Sequence, residues 1–208
     1  MKLVWVRATG GGPWDLRKKR VTDGLESGVD AAWVNAGEEN TARKLGDIKI
    51  VSDGANADLK IGKQVSYTLI ADKAGEQEVV KAGKSSDFVV FKATDWTVIP
   101  LENIIAGLQK EKAKIIVEVS SFEEAKTVLE TLEVGADGVL VDADGKTIKK
   151  IREYVESLAQ EKLGLAVVEV TNVRQVGMGD RACVDTCSMF KDGEGMLVGS
   201  QSNAMFLV

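Results

Sequence analysis

Short runs of β-branched and aliphatic residues alternate along the chain with stretches in which apolar residues return every three or four positions. The short runs fall at residues 3–6, 31–34, 48–51, 64–70, 88–91, 114–119 and 137–141, each of strand length. Between them, Leu101, Ile104, Ile105 and Leu108 form one helical stripe, and Ala125, Val128, Leu129 and Leu132 a second. A third stripe is Ile148, Ile151, Val155 and Leu158. Pro100 suits the first turn of the helix it precedes, where its missing N–H is not needed. Ser121-Phe-Glu-Glu124 has the form of a capping box, and Gly135 can end that helix by taking positive φ.

A strand, a crossover helix and a second strand make a parallel βαβ unit. About eight such strands are expected before residue 172, with helix or loop after most of them. The pattern predicts an α/β fold of repeated βα units, a small (βα) barrel-like domain over residues 1–165. An open doubly wound sheet is the alternative. After Leu163 the helical period stops. A β-rich run at 165–173 is followed by glycines at 177, 179, 193, 195 and 199 between short apolar stretches. Residues 166–208 are therefore expected to be a Gly-rich β segment, the start of a C-terminal region. The closing stretch 205–208 reads as an apolar strand left with an unpaired edge, so the sequence is expected to be truncated there or a partner to cover the strand, a homo-oligomer being one such arrangement.

The chain has 208 residues, of which 44% are hydrophobic and 28% charged, an ordinary globular balance. No apolar run approaches the ~20 residues of a membrane span, and the early charges do not suit a signal peptide. A cytoplasmic protein with no membrane partner is expected. The net charge of −5 does not favour nucleic acid. The basic run Arg17, Lys18, Lys19 and Arg20 is read as the solvated face of the first helix, with a local anion site as the alternative. There is no histidine, which excludes Ser-His and Cys-His catalysis and His-ligated metals within the chain. Cys183 and Cys187 lack Cys-x-x-Cys spacing and have no second pair to complete a zinc site, so no metal ligands are assigned.

Gly10, Gly11 and Gly12 follow the first strand but lack the spacing of a dinucleotide or Walker loop, and are read as a flexible turn. Gly177-Met-Gly179 does not open a helix and is no better. In a (βα) barrel the functional groups follow the strand C-termini, which nominates Asp53, Asp95, Glu118 and Asp142. Helix caps or solvated loops remain the other reading of each acid. Lys92, ending its strand, is expected to be a buried amine of lowered pKa suited to a Schiff base or proton transfer. In the polar stretch 179–188, an extended backbone would put Arg181, Cys183, Asp185 and Cys187 on one face, with Arg181 paired to Asp180 or Asp185.

Residues 176–189 (Val-Gly-Met-Gly-Asp-Arg-Ala-Cys-Val-Asp-Thr-Cys-Ser-Met), 193–200 and 206–208 resemble the signature block of the archaeal-type (type II) 3-dehydroquinate synthase family. A second block, 95–106 (Asp-Trp-Thr-Val-Ile-Pro-Leu-Glu-Asn-Ile-Ile-Ala), is similar to the same family, as are 25–28 and 48–53 more weakly. The resemblance implies the N-terminal portion of an enzyme that oxidatively deaminates an amino-dideoxy-heptulosonate with NAD as cofactor, the product cyclising to 3-dehydroquinate. Family members continue beyond this point, and Asn203-Ala204 stands where a small residue with glycine is usual. On the matched motifs, Arg181 is the expected carboxylate clamp and Glu102 a further substrate-binding group. Asp180, Asp185 or Glu194 is the expected base, Lys92 would hold the carbonyl carbon, and Asp95 sits on the catalytic rim. The site is expected between Asp95-Trp96 and the stretch 180–187. The alternatives are a non-catalytic or split chain needing a second polypeptide, and a Lys92-dependent (βα)-barrel aldolase.

Overall fold

A computed structural model describes residues 2–93, 101–131, 135–159, 172, 185, 190, 194–200 and 203–207. Two compact units divide the chain, Met1–Leu163 and Gly164–Val208. In the first, the elements run β1 (Leu3–Ala8), α1 (Trp14–Glu26), β2 (Ala31–Val34), α2 (Glu39–Arg43), β3 (Lys49–Ser52), β4 (Leu59–Lys60) and β5 (Val65–Ile70). They continue with α3 (Lys73–Ala82), β6 (Phe88–Ala93), α4 (Leu101–Leu108), β7 (Lys114–Val119), α5 (Phe122–Glu130), β8 (Gly138–Val141) and α6 (Gly145–Ala159).

The eight strands form one parallel sheet in the order β4-β3-β2-β1-β8-β7-β6-β5. First and last strands are neighbours: Trp5 lies opposite Ala31 on one side and Leu140 on the other. That cyclic order is a barrel, not an open doubly wound sheet. Closure is incomplete at one seam, where β4 and β5 share a single parallel bridge, Ile61 to Val65. No helix crosses between β3 and β4 or between β4 and β5, and β4 has two residues, too few to leave a period in the sequence.

Period-two alternation separates two cores. Val4, Val6, Ala32, Ile50, Val89, Phe91, Ile115, Val117, Val139 and Val141 face the helices and meet Val21, Val79, Ile104, Val128, Ile148 and Ile151. The opposite parity fills the lumen with Trp5, Ala31, Trp33, Val51, Val65, Val90, Ile116 and Leu140. An eight-stranded barrel is just wide enough for such side chains to fill. Trp5 packs on Phe88 at 5.0 Å between ring centroids, and the Trp33 edge meets Tyr67 at 5.4 Å, tying β2 to β5 across the weak seam.

Short polar side chains set the boundaries. Asp30, Asp58 and Asp137, each just before a strand, accept the N–H of the second residue of the neighbouring strand at 2.8 Å, from Val4, Ile50 and Ile115. Ser121 caps α5 by accepting from the Glu124 N–H, and the Glu124 carboxylate reaches back to the Ser120 N–H, one residue earlier than a capping box requires. Gly135 has φ +62°, yet α5 ends at Glu130, so the left-handed residue follows the helix at a distance. A Cβ there would lie 2.0 Å from the Leu129 carbonyl oxygen. Leu158, expected in the buried stripe of α6, is exposed in its last turn. Pro100, Leu132 and most of 165–173 lie outside the described residues.

In the second unit, β9 (Met196–Ser200) and β10 (Asn203–Leu207) form an antiparallel hairpin, with Met205 opposite Val198. The apolar run at the chain end thus has β9 as its partner.

Candidate active site

Lumen-facing positions towards the C-terminal ends of several strands are polar. On β1 the inward series is Leu3, Trp5, Arg7. On β5 it is Val65, Tyr67 and then Leu69 at the strand end; on β6, Phe88, Val90, Lys92; on β7, Ile116, Glu118. Asp142 continues the series of β8 just past its end. Parallel register brings these groups to one end of the barrel, where Lys92 pairs with Leu69 and Glu118 with Leu140. This is the strand C-terminal rim, the catalytic face of (βα) barrels.

Glu118 is the centre of the cluster, its side chain 1% exposed. One carboxylate oxygen receives Arg7 Nη1 and the Tyr67 hydroxyl, the latter at 2.9 Å. The other receives Lys92 Nζ at 3.0 Å. Arg7 also donates from Nη1 to the Tyr67 oxygen at 3.1 Å and from Nε to Thr9 Oγ1 at 3.0 Å, and its guanidinium lies 5.3 Å over the Tyr67 ring. A carboxylate in so dry a place is tolerable only because it is fully hydrogen-bonded and paired. Arg20 of α1 reaches in beside it, donating to Asp142 and, at 3.2 Å, to the Arg7 carbonyl.

These contacts hold the protons. The hydrogen bond to Glu118 keeps the Lys92 ammonium above the ordinary lysine range, outweighing burial. Burial pushes the Tyr67 phenol up, its hydrogen bond with Arg7 opposes that, and Glu118 adds to the rise. Lys92 was expected to be a buried amine of lowered pKa. The structure corrects this: its side chain is 41% exposed and its partner is a carboxylate, so both solvation and pairing favour the charged form.

The basic run is likewise not a solvated face throughout. Lys18 and Lys19 are exposed, but Arg17 is buried. It binds Glu38 and donates to the carbonyls of Gly10, Gly11 and Gly12 at 3.0, 3.3 and 2.8 Å. Asn35 also grips Gly10, donating to its carbonyl at 3.0 Å. The expected flexible turn is therefore pinned. It presents carbonyls to a cation rather than amides to an anion, the opposite of a phosphate cradle.

Of the other nominated acids, Asp142 joins the cluster, while Asp53 is exposed. Glu102, in the first turn of α4, lines a groove of about 360 Å³ with Leu101, Glu123, Thr127 and Val128, and has no contact with the rim cluster among the described residues. Asp95, Asp180, Arg181, Cys183 and Cys187 lie outside the described residues, and with them most of the expected junction. Asp185 and Glu194 are exposed in the second unit. Among the described residues no group of three potential ligands could hold a metal, and no helix is long and apolar enough to cross a membrane. Arg7 and Tyr67 were not singled out from sequence, and Arg17 and Arg20 only as members of the basic run on α1. The signal of Arg7 and Tyr67 was parity, a polar residue two places after a lumen-facing apolar one.

Comparison with known proteins adds identity to this geometry. Tryptophan synthase subunit alpha from Legionella pneumophila str. Paris superposes with a TM-score of 0.51 at 13% identity, covering 75% of this chain and 93% of that one, a likeness of fold. Among curated proteins, the 3-dehydroquinate synthases of Methanosphaera stadtmanae and Methanosarcina mazei are 42% and 40% identical, each alignment covering all of this chain. That of Methanothrix thermoacetophila is 43% identical. The chain spans 63–64% of the length of these relatives. Residues 1–155 match the 3-dehydroquinate synthase II N-terminal domain and residues 167–208 its C-terminal domain. The chain belongs to the 3-dehydroquinate synthase II family.

Proposed function

We propose that this chain carries the barrel of an enzyme that converts an amino-dideoxy-heptulosonate to 3-dehydroquinate, with the rim around Glu118 as its active site. The reading rests on the family and on the name its archaeal relatives share. The observation that carries the placement is Glu118, fastened between Arg7, Tyr67 and Lys92 at the mouth of the lumen.

In the proposed reaction the amine-bearing carbon loses a hydride, water replaces the imine nitrogen as ammonium leaves, and an intramolecular carbon–carbon bond closes the ring. NAD⁺, when bound, supplies the hydride acceptor. Among the described residues nothing forms a cradle for its pyrophosphate, since the glycine turn is occupied by Arg17, so no residue is assigned to it. What the rim supplies is orientation. The ammonium of Lys92 is held protonated and can donate to a carbonyl or hydroxyl oxygen of the substrate, while the phenol of Tyr67, its one proton given to Glu118, keeps that carboxylate in place. Asp142, half-buried at the same rim, can accept from a hydroxyl or the substrate ammonium. On the sequence motifs alone, Asp180, Asp185 or Glu194 is proposed as base, Asp95 as a further catalytic group, and Glu102 and Arg181 as substrate-binding groups. A Lys92 aldolase needs a neutral amine, and the Glu118 contact works against one.

The test is to incubate the protein with the amino-sugar acid and NAD⁺ and follow NADH by absorbance and 3-dehydroquinate by mass spectrometry. Equal amounts of both are expected. Product without NADH would exclude the NAD-linked route.

A further inference from the structure

We infer that Lys92 and Arg7 form the subsite for the substrate's carboxylate, so that the rim selects a small hydroxylated organic acid. This rests on the proposed function above and names the group its site recognises.

The argument begins with charge. The described rim carries three cations, Arg7, Arg20 and Lys92, against two carboxylates, Glu118 and Asp142. Arg20 is matched by Asp142, which leaves two cations on one acid. Burial of Glu118 explains one of them: a lone carboxylate at 1% exposure needs a counter-charge, and Arg7 supplies it with a hydrogen bond. It does not explain the second. Lys92 places a long, entropically costly side chain over an acid that is already paired.

Geometry continues the case. Lys92 has three N–H donors, and only the one to Glu118 has a partner among the described residues. Arg7 uses Nε on Thr9 and Nη1 on Tyr67 and Glu118, leaving Nη2 without a partner among the described residues. The two cations sit on the two oxygens of the same carboxylate, so they are close enough to share a second, bidentate anion on the solvent side. Glu118 acts as the fixed template that spaces them, which makes it a positioning residue. The surroundings suit an organic acid rather than a bare inorganic anion. Tyr67 and Asp142 offer hydrogen bonds to hydroxyls, and Leu69, opposite Lys92 in register, is 56% exposed at the same end of β5 and offers an apolar wall.

The test is calorimetric titration of the chain with quinate, a hydroxylated carboxylate, and in parallel with inorganic phosphate, with no NAD⁺ present. Quinate is expected to bind more tightly than phosphate. Lys92→Met should weaken it at least about tenfold, the loss of one charge-assisted hydrogen bond. Lys92→Arg, which keeps the charge, should stay within about threefold of the parent. Circular-dichroism melting confirms that both variants fold. Lys92→Met binding quinate like the parent overturns the assignment, as does equal loss in Lys92→Arg. Phosphate binding the more tightly, or no quinate binding at millimolar concentration, overturns it too. Arg181→Ala is the rival: loss there with Lys92→Met unaffected moves the clamp to the second unit. Lys92-dependent quinate binding in a chain that never makes NADH would instead leave the subsite standing and remove the proposed reaction.

Discussion

Replacing Glu118 with glutamine keeps the shape of the side chain and removes the charge that organises the rim. Three donors converge on its two oxygens: Arg7 Nη1, the Tyr67 hydroxyl at 2.9 Å and Lys92 Nζ at 3.0 Å. An amide retains one oxygen. Turned towards Arg7 and Tyr67, it points its NH₂ at an ammonium; turned the other way, it faces two donors. The first arrangement costs less, because Lys92 is 41% exposed and can swing into water. Breaking a buried ion pair costs ~3–5 kcal/mol when the surviving charge stays dry. Here both cations reach solvent in part, so the expected loss is about 2–3 kcal/mol. For a chain of this size that corresponds to a fall in melting temperature of roughly 5–10 °C. Lys92→Met, by contrast, leaves Glu118 paired with Arg7 and should cost under ~1 kcal/mol. Thermal unfolding followed by circular dichroism at neutral pH measures both. If Glu118→Gln melts within ~2 °C of the parent, or Lys92→Met costs as much as it does, the carboxylate is not the keystone described.

Four further outcomes follow from other parts of the barrel. Ser52→Ala should lose roughly 1.5–3 kcal/mol in urea unfolding, because buried Glu39 accepts from the Ser52 hydroxyl at 2.7 Å and would be left short of a donor. Burial pushes Glu39 up, but the Ser52 hydroxyl and the backbone N–H groups of Glu39 and Gly37 hold it below the usual carboxylate range. Its stabilisation is therefore present above the ordinary glutamate pKa and lost as pH falls through the lower folded value, an acid limb that Ser52→Ala should reduce. Both tyrosines are raised, Tyr154 to about 12 by burial and by its bond to Glu130, so ultraviolet titration should show no tyrosinate wave near the ordinary phenol pKa while the fold holds. With Lys92 also raised, stability should be full below pH ~10 and fall as pH rises beyond it; an unchanged melting temperature well above that pH would contradict these pairings. Gly138→Ala should cost about 1–3 kcal/mol or prevent folding, since its Cβ would lie 2.4 Å from the Leu3 carbonyl oxygen in the pairing that closes β1 on β8; a parent-like melt would mean that this pairing yields easily.

The barrel was legible because its strands are buried on both faces and separated by amphipathic helices, which leaves continuous apolar runs and a clear period. Residues 31–34 and 114–119 match their strands to the residue. What escaped was what lacks a period: β4, with two residues, and the helix-free turns beside it. At the site, Glu118, Asp142 and Lys92 followed from their positions at strand ends. Arg7 did not, since an arginine near the start of a chain reads as surface, and only the lumen parity of Leu3 and Trp5 marks it. Tyr67 was hidden similarly inside a strand of mixed polarity. The direction of the Lys92 shift was missed because it depends on a partner 26 residues away in sequence and adjacent only across the β6–β7 pairing.

Whether the rim around Glu118 carries the proposed chemistry is decided by the rate of 3-dehydroquinate formation from the amino-dideoxy-heptulosonate and NAD⁺, measured for Lys92→Met against the parent chain. Each is assayed alone and with a polypeptide supplying the remaining length its relatives possess. A fall of at least about tenfold at an unchanged melting temperature is predicted, the loss of one charge-assisted hydrogen bond to the reacting molecule. Turnover equal to the parent's would place the chemistry elsewhere and reduce the cluster to a structural ion-pair network.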